Sequence, residues 1–149
     1  MVRSDSVMVD TNIIIYALVE EEPDKSEKAL KLLEELSKSK IQIFLTVQSL
    51  KEVGNVAHRK YGLRSDELEE VMDTLKALTP NLIPETFTTV PLAVRLKEDY
   101  GIEYWDALIV ASCLEHGIPL LITEDERLYK VGQINLDGKV VEFLNPFEV

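Results

Sequence analysis

A chain of 149 residues suffices for one domain with a real core. With 46 % apolar and 29 % charged residues, its composition excludes a disordered tail. A net charge of −11 argues against a simple nucleic-acid binder, because phosphate contacts normally require a basic surface. An acidic protein can still cut nucleic acid where divalent cations neutralise its site, or it can bind a basic partner protein. No apolar run approaches the ~20 residues of a membrane span, and Met1–Ser6 lacks the apolar stretch of a secretion signal. The single cysteine, Cys113, has no internal partner for a disulfide, which suits a reducing, cytoplasmic setting.

In chain order, Ser6-Val7-Met8-Val9 is a short apolar run that predicts a buried strand. Asp10-Thr11-Asn12 ends it and can cap a helix over Ile13–Leu18. Glu20–Asp24, with Pro23, predicts a loop. A helix follows from about Ser26 to Lys38, with Ala29, Leu30, Leu33 and Leu36 on one face. Ile41–Leu45 predicts a second strand. Thr46 opens a helix over Val47–Lys60, and Ser65 is placed to cap another that carries a Leu68, Val71, Met72, Leu75 and Leu78 stripe. Pro80 and Pro84 close that helical region, and Glu85–Thr88 predicts a short strand. Pro91 suits the first turn of a helix reaching Tyr100. Trp105–Leu114 is apolar nearly all round, as expected of a helix covered on most sides. Pro119–Thr123 and Lys139–Phe143 predict the last strands.

Apolar strands alternating with helices predict a three-layer α/β/α sandwich around a mostly parallel sheet, in a single domain. Ligands of such sheets bind beyond the carboxyl ends of the strands. Asp10 and Asp125 each follow a predicted strand, more than a hundred residues apart. Asp106 opens an otherwise apolar helix, where a buried unpaired carboxylate costs several kcal/mol. A helix N-terminus returns only about 0.3–1 kcal/mol; a cation would offset the rest. Glu52 lies on a helix flank in one stripe with Gln48, Asn55 and Arg59, and periodicity alone makes it a solvated residue.

The motifs Val9-Asp10-Thr11-Asn12-Ile13, Ser49-Leu50-Lys51-Glu52-Val53, Trp105-Asp106-Ala107-Leu108-Ile109 and Leu121-Ile122-Thr123-Glu124-Asp125 resemble those of PIN-domain nucleases. They are most similar to the VapC-like branch, the toxins of toxin–antitoxin pairs. The resemblance runs from Val7 to Leu128 with the motifs in family order. It implies a catalytic, metal-holding set of Asp10, Glu52, Asp106 and Asp125. Asn12 and Thr123 match the family's supporting polar positions. One departure is the acidic run Glu124-Asp125-Glu126, which leaves Glu124 as an outer or substitute ligand.

All-oxygen carboxylate sites favour Mg²⁺ or Mn²⁺. The resemblance therefore implies a metal-dependent endoribonuclease, with RNA as substrate, a homodimeric assembly and a cognate antitoxin as partner. The alternatives are a PIN fold serving as a binding module with weak or no catalysis, and a housekeeping RNA-processing nuclease. The stripe Gln48, Asn55 and Arg59, with Lys60, is the surface expected to meet RNA. Trp105 is expected to pack in the core, with base stacking as its alternative role. Cys113 is expected to be packing, and His58 and His116 ordinary helix residues.

Overall fold

The computed structural model describes residues 5–19 and 22–148. The Met1–Ser4 part of the stretch expected to lack a secretion signal and the Glu20–Glu21 part of the expected loop lie outside them. Six strands form one sheet, in the order β3-β2-β1-β4-β6-β5. They are β1 (Ser6–Val9), β2 (Gln42–Thr46), β3 (Asn81–Ile83), β4 (Leu120–Ile122), β5 (Gln133–Leu136) and β6 (Lys139–Leu144). Every pairing is parallel except β5 with β6, a hairpin whose turn holds Asp137 and Gly138 at positive φ.

The period-two alternation of strand side chains divides the core between two faces. Val7, Val9, Ile43, Leu45 and Ile122 pack under α1 (Thr11–Leu18), α2 (Pro23–Lys38), α3 (Val47–Arg59) and α4 (Ser65–Leu78). Met8, Phe44, Leu121, Ile134 and Val141 face the other way, under α5 (Thr89–Tyr100), α6 (Tyr104–His116) and α7 (Glu126–Val131). This is the three-layer sandwich expected from the alternation of elements. In α6, Ala107–Leu114 are all buried, so the helix lies deep in its layer and carries Asp106 with it.

Three local expectations need correction. Pro23 and Asp24 begin α2 rather than end a loop, because proline suits a first helical turn. The residue before α4 is Arg64, whose backbone N–H donates to the Glu67 carboxylate at 3.1 Å; Ser65 is already helical. The short strand is Asn81–Ile83, between the two prolines, and Glu85–Thr88 is irregular. The α4 stripe packs inward as its spacing expects: Leu75 is buried, and Met72 and Leu78 pack on the core.

Candidate active site

Asp10 leaves the carboxyl end of β1 and caps α1, its Oδ1 accepting the Thr11 N–H at 2.8 Å. Its Oδ2 accepts the hydroxyl of Thr123, just past the end of β4, also at 2.8 Å. β1 and β4 are direct neighbours, so two residues far apart in sequence meet at one end of the sheet. Thr123 is fully buried, and its Oγ1 also accepts the Asp125 N–H at 3.1 Å. One hydroxyl thus ties Asp10 to Asp125. Glu52 sits on the second turn of α3. Its Oε2 accepts the Thr11 hydroxyl and its Oε1 the Gln48 amide, each at 3.0 Å. Asp106 occupies the first turn of α6.

Asp10, Glu52, Asp106 and Asp125 line one open cleft of about 580 Å³. A smaller chamber continues from it, also lined by Asp10, Glu52 and Asp106. Asn12 lies exposed on the cleft wall. Glu124 lines it too, but its carboxylate is held by the Tyr16 hydroxyl at 2.7 Å and the Lys25 ammonium at 3.1 Å. Gln48 reaches the chamber; Asn55, Arg59 and Lys60 line neither space. They continue along α3, with Arg59 about 10 Å beyond Glu52 at 1.5 Å per residue.

Two site features, Arg127 and Glu85, have no signal in the motifs, and Trp105 stands elsewhere than the core expected of it. Arg127 spans Asp125 with its Nε at 3.2 Å and an Nη at 3.0 Å, and that nitrogen also lies 3.5 Å from Asp106 and 3.4 Å from Glu103. Glu85 lines the inner chamber and accepts the Gln48 N–H at 3.3 Å. Its arrival depends on the β3 exit, which the sequence pattern did not reveal. Trp105, expected in the core, is 52 % exposed and lines both spaces. It lies in the first turn of α6, ahead of the buried stretch that begins at Ala107, and its own position faces outward.

The electrostatics follow from burial and crowding. Burial pushes the Asp10 carboxyl up; hydrogen bonds from Thr123 and Thr11 oppose this, and the charges of Glu52 and Asp125 add to it. Asp106 is raised to about 7, first by burial, then by Asp125 and Asp10, with Arg127 opposing. For Asp125 burial acts upward, but Arg127's side chain and backbone N–H outweigh it and hold that carboxyl low. Of the two, Asp106 is the harder carboxyl to ionise, because Arg127 lies closer to Asp125. Away from the cleft, burial raises the Cys113 thiol, which excludes it as a ready nucleophile.

The chain belongs to the PIN domain family. The family's model matches residues 7–134. Three solved structures share the fold. A toxin–antitoxin complex from Klebsiella pneumoniae is 22 % identical with a TM-score of 0.68, covering 96 % of this chain and 99 % of that one. A VapBC complex from Rickettsia felis bound to promoter DNA is 19 % identical with a TM-score of 0.67, covering 94 % and 98 %. A sarcin-ricin-loop-cleaving VapC toxin from Mycobacterium tuberculosis is 16 % identical with a TM-score of 0.67, covering 87 % and 98 %. No curated protein matches the chain in sequence.

Among the described residues, no three His, Cys, Asp or Glu side chains already surround one point as metal ligands do. The chemistry of the set nevertheless fits a hard cation. Asp106 Oδ2 and Glu85 Oε2 are buried without a hydrogen-bond partner, and both residues line the same chamber. Carboxylate oxygens that lack a hydrogen bond, one of them with Arg127 at 3.5 Å, beside further carboxylates are what Mg²⁺ or Mn²⁺ relieves.

Thr123 offers a direct check on this architecture. Thr123→Val leaves the Asp125 N–H and Asp10 Oδ2 each without a hydroxyl partner. We expect a loss of roughly 1–3 kcal/mol of stability, measured by urea unfolding. An unchanged midpoint would show that this hydroxyl does not tie the two loops together.

Proposed function

We propose that this PIN-domain protein is a metal-dependent endoribonuclease, the toxin of a toxin–antitoxin pair. The observation that carries the reading is the meeting of Asp10, Glu52, Asp106 and Asp125 in one cleft beyond the carboxyl ends of β1 and β4. The solved structures of similar fold include toxin–antitoxin complexes and one RNA-cleaving toxin, which favours this reading over a binding module.

Asp10, Glu52, Asp106 and Asp125 would hold the ion, with Glu85 at the inner wall. Mg²⁺ or Mn²⁺ supplies, when bound, an activated water and neutralisation of charge on the phosphate and leaving oxygen. The chain's own residues fix the geometry. Thr11 and Gln48 orient the two oxygens of Glu52. Thr123 holds Asp10. Arg127 keeps Asp125 ionised and offers the cleft a cation for a phosphate. Asn12 and Glu124 act around this set, Glu124 positioned by Tyr16 and Lys25. The test is cleavage of RNA with and without Mg²⁺ or Mn²⁺, beside Asp10→Asn.

Gln48, Asn55, Arg59 and Lys60 form the proposed path for the RNA strand leaving the cleft. Arg59 and Lys60 are exposed at the far end of α3. Replacing both with Ala should lower the salt slope of RNA binding by about 1.4, at ~0.7 per phosphate contact on a single strand. An unchanged slope in an anisotropy titration would move the strand to another surface.

Assembly as a homodimer is also part of this reading. Phe87 is 99 % exposed, and Val90 and Val94 are more than two-fifths exposed near it. Such a bare apolar patch suits a protein contact. Light scattering is expected to give twice the 16.9 kDa chain mass; a monomer mass across a wide concentration range would contradict it. No described helix is long and apolar enough to cross a membrane. A cytoplasmic site of action and a cognate antitoxin complete the proposal.

A further inference from the structure

Trp105 is the chain's single tryptophan. It stands half in water on the wall shared by the inner chamber and the outer cleft, next in sequence to Asp106. Its ring contact is with Tyr104, at 5.2 Å between centroids and 73° between planes. Among the described residues, then, no ring is stacked face to face on the indole. The rest of the outer cleft is mainly acidic. Arg127 is the one cation among the residues that line it, and its guanidinium is already shared by Asp125, Asp106 and Glu103.

A polyanion entering such a cleft gains little from charge attraction. An indole face, in contrast, takes up a nucleobase whatever the surrounding charge, because every base has a π face. In a duplex both faces of each base are covered by stacked neighbours, and reaching one requires unstacking it. An unpaired base presents its face without that cost.

We infer that Trp105 is the stacking platform for one unpaired nucleobase beside the scissile phosphate, and so sets which position of the strand is presented to the acids. This inference rests on the ribonuclease reading above. Trp105 and Asp106 line the same chamber and the same cleft, so a base stacked on Trp105 lies within the space the acids share. The indole fixes where along the strand the acids act, and selects loops and single strands over continuous helix. It is a specificity-determining residue that touches the substrate, and the carboxylates do the chemistry.

A chain with one tryptophan supplies its own probe. In the cleavage-poor Asp10→Asn protein with Mg²⁺, a short single-stranded oligoribonucleotide should quench the tryptophan emission saturably. The same strand annealed to its complement should not. Anisotropy of labelled RNA reports binding independently. Trp105→Leu in the same background should weaken single-strand affinity about ten-fold, the factor that ~1.4 kcal/mol of base stacking represents. Trp105→Phe, which keeps a ring, should lose less. If Trp105→Leu fails to fold, the quenching arms decide alone.

Anisotropy that rises while emission stays constant would overturn the stacking role and leave the ribonuclease reading standing. Equal quenching by duplex and single strand would overturn the selectivity. Absence of any RNA binding would overturn both the inference and the reading beneath it.

Discussion

Asp10→Asn is expected to reduce metal-dependent RNA cleavage by on the order of 10³-fold, a few kcal/mol of transition-state stabilisation, while the protein stays folded. Asp10 is tied both to its own helix, through the Thr11 N–H, and to the segment after β4, through the Thr123 hydroxyl. Its position is therefore set by β1 and β4 before any ligand arrives. Asparagine keeps the shape and one carbonyl acceptor, so the Thr11 cap survives. What it loses is an anionic oxygen. Burial and the neighbouring carboxylates already disfavour that charge, so the neutral amide costs the fold only about 1 kcal/mol in either direction. The check is a cleavage time course on a labelled RNA beside a melting curve. Full activity with an intact fold would remove Asp10 from the chemistry.

Asp106→Asn should do something rarer: raise stability in metal-free buffer while removing activity. The folded-state carboxyl titrates at about 7, against 3.8 unperturbed. Between those values the native protein binds a proton that the unfolded chain has released. Stability therefore falls as pH rises through that window, and the full penalty is present above it. Asparagine carries no such penalty. Its advantage over wild type should be absent near pH 4, grow through pH 5–7, and be complete by pH 8. At ~1.4 kcal/mol per pKa unit the rise corresponds to about 4 kcal/mol. Solvent screening in this open cleft brings the penalty to on the order of 2 kcal/mol, or about 5 °C in melting temperature for a chain of this size.

Asp125 runs the other way. Arg127 holds it low, so its contribution is present at neutral pH and is lost as pH falls through its depressed value. That effect lies below the window and does not mask it. Arg127 retains Asp125 and Glu103 as partners in the Asp106→Asn variant. Thermal melts from pH 4 to pH 8 in chelator read the crossover. A variant less stable than wild type at pH 8 would mean that the Asp106 charge is already compensated by the protein itself.

The sandwich was legible because the strands β1, β2 and β4 are short apolar runs with polar ends, and α2, α4 and α6 carry apolar residues at helical spacing. β3 was hidden: three residues between Pro80 and Pro84 are too few to show a period. The hairpin strand β5 pairs at the sheet edge and shows only Ile134 buried, so its pattern is mostly that of a surface segment. α7 has six residues, too short for an amphipathic repeat.

The meeting of the acids in one cleft was legible by motif, with Asp10 and Asp125 also marked by their places after a strand and Asp106 by the cost of burying its charge. The exposed Arg127 was not: two residues after Asp125, it reads as an ordinary surface arginine, and its role depends on α6 bringing Asp106 to the same place. Glu124 looked like a substitute ligand because Tyr16 and Lys25, its partners, are 108 and 99 residues away in sequence. Trp105 was drawn into the core by the apolar run that follows it, although the helix buries only the residues from Ala107 onward.

The central claim is that these acids form one metal site. Melting wild type and Asp106→Asn with and without Mn²⁺ at pH 8 tests it most directly. A ligand at a hundred times its dissociation constant stabilises by about 2.7 kcal/mol, or roughly 5–10 °C in a domain of this size. The account predicts a shift of that order for wild type and little or none for Asp106→Asn, so that the variant starts higher and is overtaken. Equal Mn²⁺ shifts in the two proteins would place the ion elsewhere and contradict the metal site.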